Sequence, residues 1–179
     1  MGKKIQTTIF SLATAVALIW FDQWTKGLAV TKLKGNEPYV LIPGIFELNY
    51  TENRGAAFGL MQNQSIFFLI VTLVVLAGVV YLFCRMPFKR FYRPLRAILV
   101  IFAAGTIGNF IDRMFLRYVV DFFYIRLINF PVFNVADMFI TVSLAAFVLL
   151  ILLKYKEEDL TFIPGMSDPK KKRDEDSKS

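Results

Sequence analysis

The sequence predicts an α-helical integral membrane protein: four transmembrane helices, a small extracytoplasmic β platform and a second outer loop. Three observations predict it. Hydrophobic residues make up 56% of the 179 residues, above the roughly 45–50% usual in soluble domains, and the mean hydropathy is +0.52. The charged residues, 20% of the chain, are clustered rather than spread. Four segments are apolar over about the 20 residues that a helix needs to cross a bilayer.

The first span covers about residues 5–21, with Gln6, Thr7, Thr8, Ser11 and Thr14 as mild polar interruptions. Phe21-Asp22-Gln23-Trp24 follows without a small-x-small cleavage pattern, so the segment reads as an uncleaved span rather than a signal peptide. An outer loop over 22–64 comes next. In it, Tyr39-Val40-Leu41-Ile42 and Ile45-Phe46-Glu47-Leu48-Asn49-Tyr50 flank Pro43-Gly44, which predicts a hairpin-like platform. Asn53-Arg54-Gly55-Ala56-Ala57-Phe58-Gly59 then suits either close approach of a peptide backbone or a tight turn into the next span. The second span covers 65–84. The third covers 95–111 and carries Gly105 and Gly108, small residues that let helices approach closely in lipid. A second outer loop spans 112–133, and the fourth span covers 134–153. Residues 1–156 form one membrane domain; 157–179 read as a charged, disordered tail.

Lysine and arginine orient the spans. With the N-terminus inside, 14 of the 21 basic residues fall on the cytoplasmic side. The short loop between the second and third spans carries Arg85, Lys89, Arg90, Arg93 and Arg96 and no acid. Both termini are therefore expected in the cytoplasm. The net charge of +7 is accounted for by this topology and does not call for a nucleic-acid partner.

The composition excludes several chemistries. There is no histidine, hence no Ser–His–Asp triad, Cys–His pair or histidine-held metal; the single Cys84 builds neither an intrachain disulfide nor a metal cage. Seven of the 14 acids lie at the outer membrane edge: Asp22, Glu37, Glu47, Glu52, Asp112, Asp121 and Asp137. Ionisable residues there are costly and mark function. Asp22 and Lys26, four apart on a helix, share a face and read as an interfacial salt bridge. Arg113 reads as a side chain that snorkels to the headgroups. Asn134 and Asp137, three apart, face the same way at the start of the fourth span. For Asp137, helix capping and catalysis remain equal readings from spacing alone.

Five segments stand in order: Asp22-Gln23-x-x-Lys26, Asn53-x-Gly55-Ala56-Ala57-Phe58, Gly108-Asn109-x-x-Asp112-Arg113, Val119-Val120-Asp121-Phe122 and Phe133-Asn134-x-Ala136-Asp137. Together they resemble lipoprotein signal peptidase, the bacterial type II signal peptidase, over about residues 9–153. The resemblance implies that Asp121 and Asp137 are a catalytic aspartate dyad. It implies that Asn53, Gly55, Asn109, Arg113 and Asn134 shape or contact the substrate site, and that Asp22 and Lys26 support it. It implies prolipoproteins carrying diacylglycerol on a cysteine as substrates, cut at the amide just before that cysteine. No metal or cofactor is implied. The expected setting is a bacterial inner membrane, as a monomer among lipids, with the site on the outer face. Met138 stands where the family often has serine, and Arg54 where a smaller or uncharged residue is expected. Two aspartates sharing one proton suffice to activate water and protonate a carbonyl; which begins as base is open. The competing classes are a small channel or transporter and a non-catalytic membrane protein that binds signal helices.

Overall fold

The computed structural model describes residues 2–55 and 65–164. The Ala56-Ala57-Phe58-Gly59 stretch and the basic run at 170–173 lie outside the described residues. Four long helices are α1 (Gly2–Leu33), α2 (Ser65–Arg85), α3 (Arg93–Phe115) and α4 (Val135–Leu153). Each has the length and apolarity to cross a membrane, and side chains such as Phe10, Trp20, Ile66, Val74 and Leu152 are exposed along them. A water-soluble protein does not present such continuous apolar surface; the chain is a multi-pass membrane protein. α1 runs well beyond the expected 5–21, because backbone hydrogen bonding continues past the apolar stretch that marks the span in sequence.

α3 is the central helix, in contact with α1, α2 and α4. Half of its apolar window is buried, against 6% in α1 and α2. Two glycines explain how its neighbours come so close. A Cβ on Gly105 would lie 2.5 Å from the Ala136 carbonyl oxygen, and one on Gly108 2.5 Å from Asp22 Oδ2. Both neighbours are fixed, the first as backbone and the second as a carboxylate held by other groups. Gly108→Ala is therefore expected to destabilise the fold by about 1–3 kcal/mol, the usual cost of overpacking. Thermal unfolding in detergent reads this as a lower Tm; an unchanged Tm would show that the α1–α3 contact yields freely.

A three-stranded antiparallel sheet caps one end of the bundle, in the order β1 (Tyr39–Ile42), β2 (Phe46–Asn53), β3 (Val119–Ile125). The β1–β2 hairpin turns at Pro43-Gly44, where Gly44 has φ +72°, a left-handed conformation that glycine adopts without a Cβ clash. The second outer loop is more ordered than its sequence suggests. β3 pairs with β2, setting Thr51 opposite Asp121 and Asn53 opposite Val119. Four consecutive residues of β3, Val119 to Phe122, are buried, so the period-2 alternation that would mark a strand is missing. Phe133 then exchanges backbone hydrogen bonds with Phe123 (2.8 and 3.0 Å), which ties the entry of α4 to the sheet.

The fold also continues past residue 156, where a disordered tail was expected to begin. Glu157–Leu160 forms a 3-10 turn. Leu160 and Phe162 pack with Met86, Tyr92, Leu95, Leu99 and Tyr155 in a core at the opposite end of the bundle from the sheet. The acids of this turn hide the two apolar residues behind it from a compositional reading.

Candidate active site

The polar cluster forms where the C-terminal part of α3, the N-terminus of α4, the sheet and the later turns of α1 meet. Asp22 is 20 residues into α1, about 30 Å along a helix and so about one hydrocarbon thickness from its start. Asp22, Asn134 and Asp121 are at most 1% exposed. At that depth every polar group needs a partner.

Lys26 is the hub. Its ammonium reaches Asp22 Oδ2 at 2.9 Å and Asp112 Oδ2 at 3.0 Å, and donates to Asn109 Oδ1 at 3.0 Å. Three donors meet three acceptors, so the ammonium is fully used. Asp22 Oδ1 accepts from the Ala136 N–H at 2.9 Å, and Asp112 Oδ2 accepts from the Val120 N–H at 3.1 Å. Gln23 Nε2 spans both acids, at 3.1 Å to Asp22 and 3.0 Å to Asp112. The cluster thus pins α1 to α3, to the start of α4 and to β3. The interfacial salt bridge expected of Asp22 and Lys26 is present, but buried and shared with Asp112.

Three asparagines carry this order to Asp121 and Asp137, and each amide can point only one way. Asn109 Oδ1 faces Lys26, so its Nδ2 donates to Asp137 Oδ1 at 2.7 Å. Asn134 Oδ1 accepts from the Asp137 N–H at 2.9 Å as the N-cap of α4, so its Nδ2 donates to Asp121 Oδ1 at 2.6 Å. Asn53 Oδ1 accepts from the Gly55 N–H at 3.1 Å, so its Nδ2 donates to Asp121 Oδ2 at 2.9 Å. Asp137 Oδ2 returns to the Asn134 N–H at 3.2 Å, completing a capping box. Asp137 thus caps α4, one of its two readings from sequence, and also stands in the polar cluster.

The two aspartates differ in surroundings. Asp121 is buried on β3, not on a loop as its sequence context suggested; Asp137 is partly exposed. Asp137 lines a cavity of about 430 Å³ together with Asn53, Gly55, Arg113, Met138 and residues 130–133. Burial, followed by the nearby Asp137 charge, pushes the Asp121 carboxyl up to about 7, against the opposing pull of the Asn53 and Asn134 donors. A raised carboxyl beside a second carboxyl in a cavity wall is the arrangement expected of acid–base chemistry.

Arg113 reads from its position as a side chain that snorkels to the headgroups. It lines this cavity, with its guanidinium 5.2 Å from the centre of the Phe68 ring. Arg54, unexpected in the motif, ion-pairs with Glu52 at 2.9 Å and lies over the Tyr118 ring. Lys34 and then Arg54 hold the Glu52 carboxyl down at about 2. Asn53, Gly55, Asn109, Arg113, Asn134, Asp22 and Lys26 thus all fall in one continuous network or on the cavity it borders. Asp112 and Gln23 belong to it too, although the sequence did not single them out as site residues. The available signal was the cost of Lys26 itself, a buried cation that one acid at i−4 does not saturate. Among the described residues no cluster of acidic or cysteine side chains has the makings of a metal site.

The chain is similar to known proteins in sequence and in fold. Residues 14–153 match the family model described as signal peptidase (SPase) II. A lipoprotein signal peptidase of Streptococcus thermophilus (strain CNRZ 1066) is 44% identical over 144 residues, covering 80% of this chain and 91% of the relative. One of Streptococcus pyogenes serotype M5 (strain Manfredo) is 38% identical over 156 residues, covering 87% and 97%. Among solved structures, a bacterial membrane enzyme determined by the in meso method at 2.3 Å superposes with a TM-score of 0.70 at 31% identity, covering 81% of this chain and 88% of that one. A second, at 1.9 Å, gives 0.69 at 32% identity, covering 82% and 94%. Four apolar spans, a small antiparallel sheet, and a family match across most of the chain lead to one assignment: the chain belongs to the signal peptidase II family.

Proposed function

We propose that this protein is an aspartic endopeptidase that removes the signal peptide from diacylglyceryl-modified prolipoproteins, cutting the amide before the lipidated cysteine. The observation that carries the reading is the convergence of Asp121 from β3 and Asp137 from α4, bridged by Asn134. The family membership supports the peptidase class. The distribution of lysine and arginine supports an orientation with both termini in the cytoplasm and the sheet outside.

In this mechanism the pair holds one proton between two acids. Asp137, facing the cavity, takes a proton from water as the water oxygen attacks the scissile carbonyl. Asp121, with its raised carboxyl, gives its proton to the carbonyl oxygen. Each Asp121 oxygen accepts one amide hydrogen bond, which leaves a lone pair on each for that proton. A tetrahedral diol forms; it collapses with proton transfer to the departing amine, and no covalent enzyme intermediate is needed. Arg113, on the cavity wall, is suited to headgroup or backbone oxygens of the substrate. The acyl chains in the outer leaflet and the signal helix beside the spans would hold the bond at the depth of Asp137.

The test uses purified protein with one precursor, lipidated and unlipidated. The reading requires cleavage of the lipidated form just before its cysteine. Binding without cutting would mark instead a non-catalytic signal-helix binder. The pH dependence follows from Asp121. Its carboxyl is raised to about 7 in the folded protein, so the native state holds a proton that the unfolded chain gives up near pH 4. Its contribution to stability is present below about pH 4 and is lost as pH rises through 7. Activity, needing the same proton, should fall above about pH 7. Removing the Asn53 donor, which favours the ionised form, should move that limb of the kcat/KM profile upward by about one pH unit. A limb that stays put in Asn53→Ala would take Asp121 out of the acid role.

A further inference from the structure

The opposite end of the bundle holds a second cavity that the peptidase reading does not use. A groove of about 490 Å³ runs between α1 and α3, lined by Gln6, Phe10, Thr14, Arg93, Arg96 and Ala97 among others. Its polar rim is cationic. The Arg96 guanidinium stacks over the Phe88 ring at 4.2 Å, and the Lys4 ammonium lies 5.5 Å from the same ring. None of Lys4, Arg93 and Arg96 takes part in an ion pair among the described residues.

Arg96 is the decisive residue. It is only 3% exposed. Its Nη2 donates to the carbonyls of Met86 at 3.3 Å and Pro87 at 3.1 Å, and its Nε has no partner. A buried charge is ordinarily paired with an opposite one; this one has carbonyls and aromatic faces but no anion. Below the rim the groove is mostly apolar, along Phe10, Val100 and Ile101, and follows the two helices. A site that is cationic at the headgroup level and apolar beneath matches one class of molecule.

We propose that this groove binds an anionic phospholipid of the inner leaflet, with its phosphate at Arg93 and Arg96 and an acyl chain along Phe10 and Val100. The leaflet rests on the orientation given above; the binding does not. A free phosphate would leave the apolar wall uncovered. A zwitterionic lipid would bring an ammonium to a rim that offers it no carboxylate.

The test is a titration of the delipidated full-length protein in detergent, read by native mass spectrometry. The probes are phosphatidylglycerol and phosphatidylcholine with identical acyl chains. The protein should bind phosphatidylglycerol at least tenfold more tightly. Arg93→Gln should weaken that binding about fivefold, the effect of one basic residue at an anionic surface. Ala97→Phe, which fills the groove from an exposed position, should abolish the preference. Cleavage of lipidated precursor by both variants in lipid-free detergent should match the parent, because the groove is at the far end of the helices from Asp137. Equal affinity for the two lipids, or a preference that survives Ala97→Phe, overturns the proposal. Loss of cleavage in the parent would count against the peptidase reading alone.

Discussion

Asp137→Asn and Asp121→Asn should each yield a folded, membrane-inserted protein that cuts lipidated precursor at least 100-fold more slowly, since a placed acid or base contributes about 10²–10⁴-fold. The substitutions are nearly isosteric, and the surroundings say what each costs in stability. At position 137 the introduced amide oxygen still accepts from the Asn134 N–H, so the cap on α4 survives. Its NH₂ then meets the Asn109 NH₂, whose direction Lys26 fixes. One hydrogen bond is lost, worth about 1 kcal/mol. At position 121 both oxygens accept from oriented amides, so an introduced NH₂ meets another donor whichever way it turns. That loss is offset by removing a carboxyl whose ionised form is already disfavoured by burial. Both variants should therefore remain folded by thermal unfolding while losing cleavage in a purified assay. Near-parental cleavage by either one would sink the dyad.

Lys26→Met is expected to have the largest effect on stability. It leaves Asp22 and Asp112 facing each other at 0% and 3% exposure without their shared cation. Removing one member of a buried ionic cluster costs about 3–5 kcal/mol, whereas replacing the whole cluster with neutral groups is often tolerated. The contrast supplies the experiment. Lys26→Met alone should lower Tm sharply and abolish cleavage. Adding Asp22→Asn and Asp112→Asn should recover much of the Tm, because both amides can still accept from Ala136 and Val120. It should not recover full activity, because of the two donors that turn Asn109 Oδ1 from Asp137 only the Asn134 amide, at 3.1 Å, then remains. A single variant with parental Tm would show that the cluster is not what joins the helices.

Much of this was legible in the residues before the fold. Runs such as Phe67-Phe68-Leu69-Ile70-Val71 mark a span by composition alone, and Pro43-Gly44 marks the hairpin because few other pairs suit its backbone. Asp22 and Lys26 declare themselves through local spacing. What sequence spacing did not reveal is long-range. Asp112 meets Lys26 from another helix, and no periodicity within α3 announces it. Asp121 passes for a loop residue because four successive residues around it are buried. Arg113 looks like a membrane-edge arginine until Asn53, Gly55 and Asp137 close around its cavity. Leu160 and Phe162 were obscured by the charges beside them. Each of these depends on which elements become neighbours, and that is decided by packing.

The double use of Asn134 bears on when a chain of this kind becomes able to do chemistry. The residue that starts α4 also bridges the two aspartates, and α4 is the last of the four long helices among the described residues. During synthesis, Asp121 emerges after Asn53 but before Asn134, and Asp137 emerges only with α4. A nascent chain still entering the bilayer has its acids apart and its asparagines unaligned. On the dyad proposed above, competence requires α4 in place, and a truncated product lacking this helix should cut no lipidated precursor.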